Sequence, residues 1–357
     1  MKKILFLTSY MSGYGGVEKV TQRICKIVNN KISILSLSDG TYKKSFLLNK
    51  LVDKVDWIPK SKGCYLRFMF SNKYINTLFH VLYTYNYILR DKPDVIIATG
   101  PMQIKYTRKL LQAPFIRKKN IALYGWPHFS KESGYGDFNT FKYADKILCI
   151  SKGILNEFKN MNIDEAKLYY LPNPFEEKER VIDISSGVFY YIGRLQWGEQ
   201  KNIKELLLAI MKTKTNVNLK IIGDGKDLSR IKEFISINEL TDRVKILNGW
   251  YEDPWEIVHH CKGLVLTSKF EGLPTVIGEA LALGVPVISS DCETGPKDFI
   301  VNGVNGFLYN MNNIDQLANL LDAVNTNEFE FNTKIIKDTM KPFYNDSFSQ
   351  RFNSLIG

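Results

Sequence analysis

Apolar residues in the second half of the chain fall into short continuous runs that alternate with stretches of helical spacing. Val188 to Ile192 is apolar and β-prone, Ile203 to Ile210 has helical periodicity, and Asn218 to Ile222 is a strand that stops at Gly223-Asp224-Gly225. The cycle continues with a helix over Ser229 to Ile237, a strand over Val244 to Leu247, a helix over Trp255 to His260 and a strand over Gly263 to Thr267. A helix from Pro274 to Leu283, a strand from Val285 to Ser289, a short helix at Phe299 and Ile300, a strand from Gly306 to Tyr309 and a helix from Ile314 to Val324 complete it. Such alternation predicts a parallel sheet covered by helices on both faces. The first half has the same grammar, less regularly. A strand at Ile4 to Leu7 leads through Gly13, Gly15 and Gly16 into an amphipathic helix over Val17 to Val28, and further strands are expected at Val95 to Ala98, Ile121 to Tyr124 and Lys146 to Ile150. Ser151 then stands where a helix N-cap is wanted.

Between the halves, Leu171-Pro172-Asn173-Pro174-Phe175 holds two prolines that exclude regular structure. The expected fold class is therefore α/β with two Rossmann-like, doubly wound parallel-sheet domains, residues 1–175 and 176–340, facing a central cleft. Open parallel sheets bind ligands beyond the carboxyl ends of their strands. A last helix around Ser347 to Ile356, within residues 341–357, is expected to cross back to the first domain.

Charge divides unevenly. Residues 1–175 carry 28 Lys and Arg against 12 Asp and Glu, whereas residues 176–357 carry 20 against 25. A basic half on an otherwise neutral chain attracts an anionic membrane surface or a phosphorylated substrate. Nucleic acid is disfavoured, because no zinc-finger, RNP-type or basic heptad pattern occurs. Five scattered cysteines (Cys25, Cys64, Cys149, Cys261, Cys292) indicate neither a disulfide framework nor a zinc site, and fit a reducing cytoplasm. No stretch reaches the roughly 18 apolar residues of a membrane span. The expected location is cytoplasmic, peripheral on the inner face of the cell membrane.

The densest chemistry lies in Ser268 to Gly284, where Glu271 and Glu279 stand eight residues apart. Pro274 fits a first helical position, so the turn Gly272, Leu273, Pro274, Thr275 would turn free amides and the positive end of a helix dipole toward a diphosphate. Glu279 would lie roughly 7 Å along that helix at about 1.5 Å per residue, letting the two carboxylates reach opposite ends of one elongated ligand, a sugar and a ribose.

Together with Gly193-Arg194-Leu195, Gln200-Lys201-Asn202, Gly223-Asp224-Gly225 and the glycine loop at 13 to 16, these glutamates resemble the retaining glycosyltransferases of family 4, the glycosyl transferases group 1. Asn248-Gly249-Trp250 and Ser290-Asp291-Cys292 leading to Gly295-Pro296-Lys297-Asp298 are similar to the branch of bacterial lipopolysaccharide galactosyltransferases. The resemblance covers nearly the whole chain and is strongest from Tyr190 to Tyr309. It implies the GT-B fold, and retaining transfer of a hexose, galactose or an N-acetylhexosamine, from a UDP-sugar to a saccharide or lipid-linked acceptor of a surface polysaccharide. No metal or other cofactor is implied.

Carried onto matching positions, the resemblance makes Arg194 and Lys201 the holders of the donor diphosphate, Glu271 a contact to the donor sugar and Glu279 a contact to the ribose. His128, after Trp126-Pro127, lies where this family places a histidine near the donor sugar, and Asp224 and Trp250 follow successive strands where a nucleobase would be framed. Gly15 and Gly16 let backbone approach phosphate or acceptor, although such strand-to-helix turns are common and Glu18 beside them suits a capping role. Cys64 to Leu89 interleaves aromatics (Tyr65, Phe68, Phe70, Tyr74, Phe79, Tyr83, Tyr85, Tyr87) with Arg67 and Lys73, and is flanked by Lys62 and Arg90. Such a segment suits an anionic lipid surface, or packs as core; Lys105, Arg108, Lys109, Arg117, Lys118 and Lys119 form a second basic cluster. Two rival readings are a sugar-nucleotide epimerase on the same scaffold and a non-catalytic partner subunit.

Overall fold

The computed structural model describes residues 1–8, 15–36, 54–57, 73–117, 120–185 and 187–357, so Gly13, Tyr14, Lys62, Cys64, Tyr65, Arg67, Phe68, Phe70, Lys118 and Lys119 lie outside the described residues. The chain divides into two compact units, one of Met1–Pro174 with Phe348–Gly357 and one of Phe175–Ser347.

Unit 1 runs β1 (Lys3–Thr8), α1 (Gly16–Ile27), β2 (Lys31–Ser36), β3 (Lys54–Trp57), α2 (Lys73–Asp91), β4 (Val95–Ala98), α3 (Pro101–Leu111), α4 (Pro114–Arg117), β5 (Ala122–Gly125), β6 (Lys146–Cys149), α5 (Lys152–Asn160) and β7 (Leu168–Tyr170). Its seven strands are ordered β3-β2-β1-β4-β5-β6-β7, and β1 pairs in parallel with both β2 and β4, placing Ile4 beside Ile32 and Val95. The central strands β1 and β4 are unbroken apolar runs because both faces of the sheet are covered there: Ile4 to Leu7 and Ile96 to Ala98 are all buried. Ser151 does cap α5, its hydroxyl accepting from the Ile154 amide at 3.2 Å.

Unit 2 runs β8 (Phe189–Ile192), α6 (Ile203–Lys212), β9 (Leu219–Gly223), α7 (Leu228–Ile237), β10 (Val244–Asn248), β11 (Gly263–Leu266), α8 (Thr275–Ala282), β12 (Val287–Ser290), α9 (Pro296–Phe299), β13 (Gly306–Tyr309), α10 (Ile314–Asn325) and α11 (Thr333–Asp338), after which α12 (Asn345–Ile356) begins. The six strands are ordered β10-β9-β8-β11-β12-β13 and all are parallel. The order reverses between β8 and β11, which opens a crevice at their carboxyl ends. Phe189, Tyr191, Leu206, Ile210, Ile221, Val265 and Leu321 knit the sheet to α6 and α10 in one apolar core.

The structure corrects two expectations. Trp255 to His260 is not a helix: a 3-10 turn spans Pro254–Ile257 and the chain is extended at Val258. The Arg180 guanidinium binds the carbonyls of Trp255 and Val258, which a continuing helix would need for itself. Pro274 is the N-cap of α8, not its first residue, because its ψ of 104° is extended. The aromatic segment, for which lipid surface and core were both open, contains a long helix, α2, which buries Thr84, Tyr87 and Ile88 while exposing Leu78, Leu82 and Tyr83, so its described aromatics divide between core and surface.

Candidate active site

Because all six strands of unit 2 are parallel, the turns after β8, β9, β10 and β11 share one edge of the sheet. Gly193 and Gly223 have φ of 159° and 152°, and a side chain on Gly223 would come within 1.9 Å of the Gly193 carbonyl oxygen. A Cβ on Gly225 would lie 2.3 Å from the Leu195 carbonyl oxygen. The two glycine turns thus stack backbone on backbone, with the Leu195 amide donating to the Asp224 carbonyl at 2.9 Å. The next turn is tied in by the Gly249 amide, which donates to the Gly223 carbonyl at 3.2 Å. Asp224 and Trp250 are therefore neighbours on adjacent turns, both exposed, and the indole keeps 48% of its surface open.

Lys201, in the connection after β8, meets Glu271, in the turn after β11. The ammonium lies 2.5 Å from Oε1, with side-chain exposures of only 15% and 8%. Gln200, beside it, joins the cations to the acidic loop: Arg194 Nη2 donates to Gln200 Oε1 at 2.9 Å, and Gln200 Nε2 donates to the Phe270 carbonyl at 3.1 Å. The Thr267 hydroxyl donates to the carbonyls of Lys201 and Asn202, and the Thr294 hydroxyl donates to that of Glu271. Gln200, Thr267 and Thr294 hold the pair in place, and sequence reading assigned them no role. The carbonyls to which they donate lie 23 to 70 residues away in the chain, beyond the reach of any local motif.

Gly272, Leu273 and Pro274 are buried, and Thr275 opens α8 without a side-chain cap on its amides. Gly295, at φ 97°, is pressed against Pro274: a Cβ there would lie 2.6 Å from the proline Cδ. Glu279 is half-buried one turn inside α8. Burial, followed by the nearby Glu271 carboxylate, pushes the Cys292 thiol up to about 12, so this cysteine is an inert packing group. The same two causes raise the Tyr191 phenol, whose hydroxyl donates to the Arg194 carbonyl at 2.8 Å and so braces that turn.

The remaining sequence candidates belong to unit 1. Gly15 caps α1 and Gly16 begins it, with the Glu18 carboxylate folded so close that a Cβ on Gly15 would lie 2.3 Å from Oε2. His128 follows β5, 7% exposed, its ring 3.9 Å from that of Trp126 in an edge-on contact. Burial pulls its imidazole down to about 3, which makes it neutral at any physiological pH. Neither His128 Nε2 nor Trp126 Nε1 has a hydrogen-bond partner among the described residues, a cost of about 1–3 kcal/mol for each buried polar atom.

The family model for glycosyl transferases group 1 matches residues 173–341, which is nearly the whole of unit 2. A lipopolysaccharide 1,6-galactosyltransferase of Salmonella typhimurium is 30% identical over 365 aligned residues, covering 99% of this chain and 98% of that protein. The chain belongs to the glycosyl transferases group 1. Among solved structures, the apo form of the lipopolysaccharide outer core galactosyltransferase WaaB matches with a TM-score of 0.83 at 27% identity over 99% of both chains. Anabaena HepE, in complex with UDP-glucose, matches with a TM-score of 0.80 at 18% identity, over 100% of this chain and 99% of that one. The GT-B fold expected from the motifs is the fold of this glycosyltransferase. Arg194, Lys201, Asp224, Trp250, Glu271 and Glu279 all fall inside the region that the family model matches, whereas Gly15, Gly16 and His128 fall outside it.

Proposed function

We propose that this glycosyltransferase is a retaining, UDP-sugar-dependent hexosyltransferase of family 4, with galactose as the preferred sugar and a lipopolysaccharide or other lipid-linked saccharide as acceptor. The buried Lys201–Glu271 pair, flanked by the exposed Arg194 and by the uncapped amides of α8, carries this reading. A leaving diphosphate gains negative charge as the glycosidic bond breaks, and fixed cations and amides stabilise that charge without reorganising. Arg194 and Lys201 supply the cations, so no divalent metal is required. Glu271 holds Lys201 in place and turns its second oxygen to a sugar hydroxyl; Glu279 accepts from the ribose. The Asp224 and Trp250 turns flank the base. The acceptor oxygen bonds to the anomeric carbon on the face from which the phosphate oxygen departs, and that oxygen takes the acceptor proton.

The names of the full-length relative and of WaaB favour galactose and a lipopolysaccharide acceptor, and the HepE complex favours a UDP donor. The exposed Leu78 and Leu82 of α2 and the exposed Met102, Lys105 and Lys109 of α3 suit an anionic membrane carrying such an acceptor. A screen of UDP-galactose, UDP-glucose, their N-acetyl forms and GDP-mannose, read by nucleotide release with and without EDTA, tests donor and metal together. NMR of the product's anomeric carbon tests retention. Fastest release from GDP-mannose, or an inverted product, overturns the proposal.

A further inference from the structure

Helix α6 starts from an unusual residue. Its N-cap, Asn202, sits next to Lys201 with φ of 46°, a left-handed conformation that asparagine tolerates better than most side chains. An N-cap asparagine ordinarily turns its side-chain oxygen onto the amides of the first helical turn, yet Asn202 caps nothing. Instead Asn202 Nδ2 donates at 2.5 Å to Oε2 of Glu205, a residue 4% exposed in that first turn. The other oxygen, Oε1, accepts from the Asn312 amide at 3.1 Å. Burial raises the Glu205 acid above its ordinary range, while the Tyr309 hydroxyl, the Asn312 amide, the Lys269 charge and the Asn202 side chain act in the opposite direction. A carboxylate this buried is costly even with Lys269 acting on it, so packing alone is a poor account of it. Its use is geometric: two acceptor oxygens take two N–H donors at once, where a glutamine amide would present only one acceptor.

We infer that Glu205 and Asn202 are positioning residues for Lys201. The peptide that carries Lys201 is held on one side by the Thr267 hydroxyl, 3.1 and 3.0 Å from the carbonyls of Lys201 and Asn202. On the other side it is held by Glu205 through the Asn202 side chain. With both grips in place the Lys201 ammonium reaches Glu271. This inference rests on the proposed role of Lys201 at the donor diphosphate. Since that role acts on charge that grows in the transition state, a loosened grip lowers kcat while leaving ground-state nucleotide binding nearly intact.

Asn202→Gly tests it, because glycine keeps the left-handed backbone and removes only the link to Glu205. On full-length protein with an unchanged melting profile, the expected result is a fall in kcat of about 10- to 100-fold, with the UDP affinity measured by calorimetry moving much less. Glu205→Gln, which keeps one of the two hydrogen bonds, is expected to fall between wild type and Glu205→Ala. In a Lys201→Ala background the Asn202→Gly change is expected to be silent, since no ammonium remains to be aimed. A further loss of comparable size in that background, or wild-type kcat in a folded Asn202→Gly protein, overturns the inference. Wild-type protein that binds no UDP overturns the donor-site reading itself, and this inference with it.

Discussion

Lys201 and Glu271 neutralise one another where little water reaches either side chain, so removing one strands the charge of the other. Breaking such a pair costs about 3–5 kcal/mol, whereas replacing both partners by apolar groups is often neutral. Lys201→Met and Glu271→Met are each expected to lower the melting temperature by several degrees, and the double variant to regain most of the loss while staying inactive; calorimetric melts and donor turnover check both halves. His128 gives a pH prediction. Its folded pKa of about 3 lies below the ordinary 6.5, so between these values the unfolded chain holds a proton that the folded chain rejects. Stability is full above the ordinary value and falls on acidification through this window, by about 1.4 kcal/mol per pH unit. His128→Gln is expected to flatten that fall in thermal melts recorded from pH 7 to pH 4. The charged members of the site were readable one by one, since Arg194, Lys201, Glu271 and Glu279 stand in recognisable strings. Gln200, Thr267 and Glu205 were not, because their parts are defined by partners that only folding brings near, such as Gln200 with Phe270 and Glu205 with Asn312.

At the scale of elements, the packing of the glycine turns sets a hard limit. Gly225→Ala would drive a methyl group into the Leu195 backbone, a clash that no rotamer relieves. A loss of about 3 kcal/mol is expected from urea unfolding, together with weakened nucleotide binding because Arg194 precedes the displaced residue. On α2 and α3, exposed apolar residues accompany Lys105 and Lys109, which have no ion pair among the described residues, and the helices touch through the Thr84 and Tyr106 hydroxyls at 3.5 Å. Each cation near an anionic lipid surface contributes about 1 kcal/mol. Reversing both to glutamate is expected to cut co-sedimentation with phosphatidylglycerol vesicles more than tenfold and to leave phosphatidylcholine vesicles unaffected. Strands β8, β11 and β12 of unit 2 are buried nearly throughout, which made them legible as apolar stretches. The Trp255 to His260 segment was not: its apolar spacing is helical, but a distant arginine, Arg180, claims its carbonyls. Likewise β2, Lys31–Ser36, mixes serine with isoleucine and gave no clear period.

Over the whole molecule, unit 1 is built from two stretches separated in sequence by unit 2, Met1–Pro174 and Phe348–Gly357. The Leu355 carbonyl accepts from the Tyr124 hydroxyl at 3.1 Å and from Lys146 Nζ at 2.7 Å, while Lys2 Nζ donates to the carbonyls of Ile356 and Gly357. Phe348, Phe352 and Ile356 are buried there, each such burial stabilising by about 1.5–3 kcal/mol. Ending the chain at Ser347 is therefore expected to speed amide hydrogen exchange in β1, β5 and β6 while the strands of unit 2 keep their protection, read by mass spectrometry. Equal exchange in both units would contradict the division. The tail also orders events during synthesis. Unit 2, Phe175–Ser347, is contiguous and can finish folding once it clears the ribosome, whereas unit 1, begun first, stays incomplete until Phe348–Gly357 have emerged, leaving its early apolar strands unsatisfied while the whole of unit 2 is made.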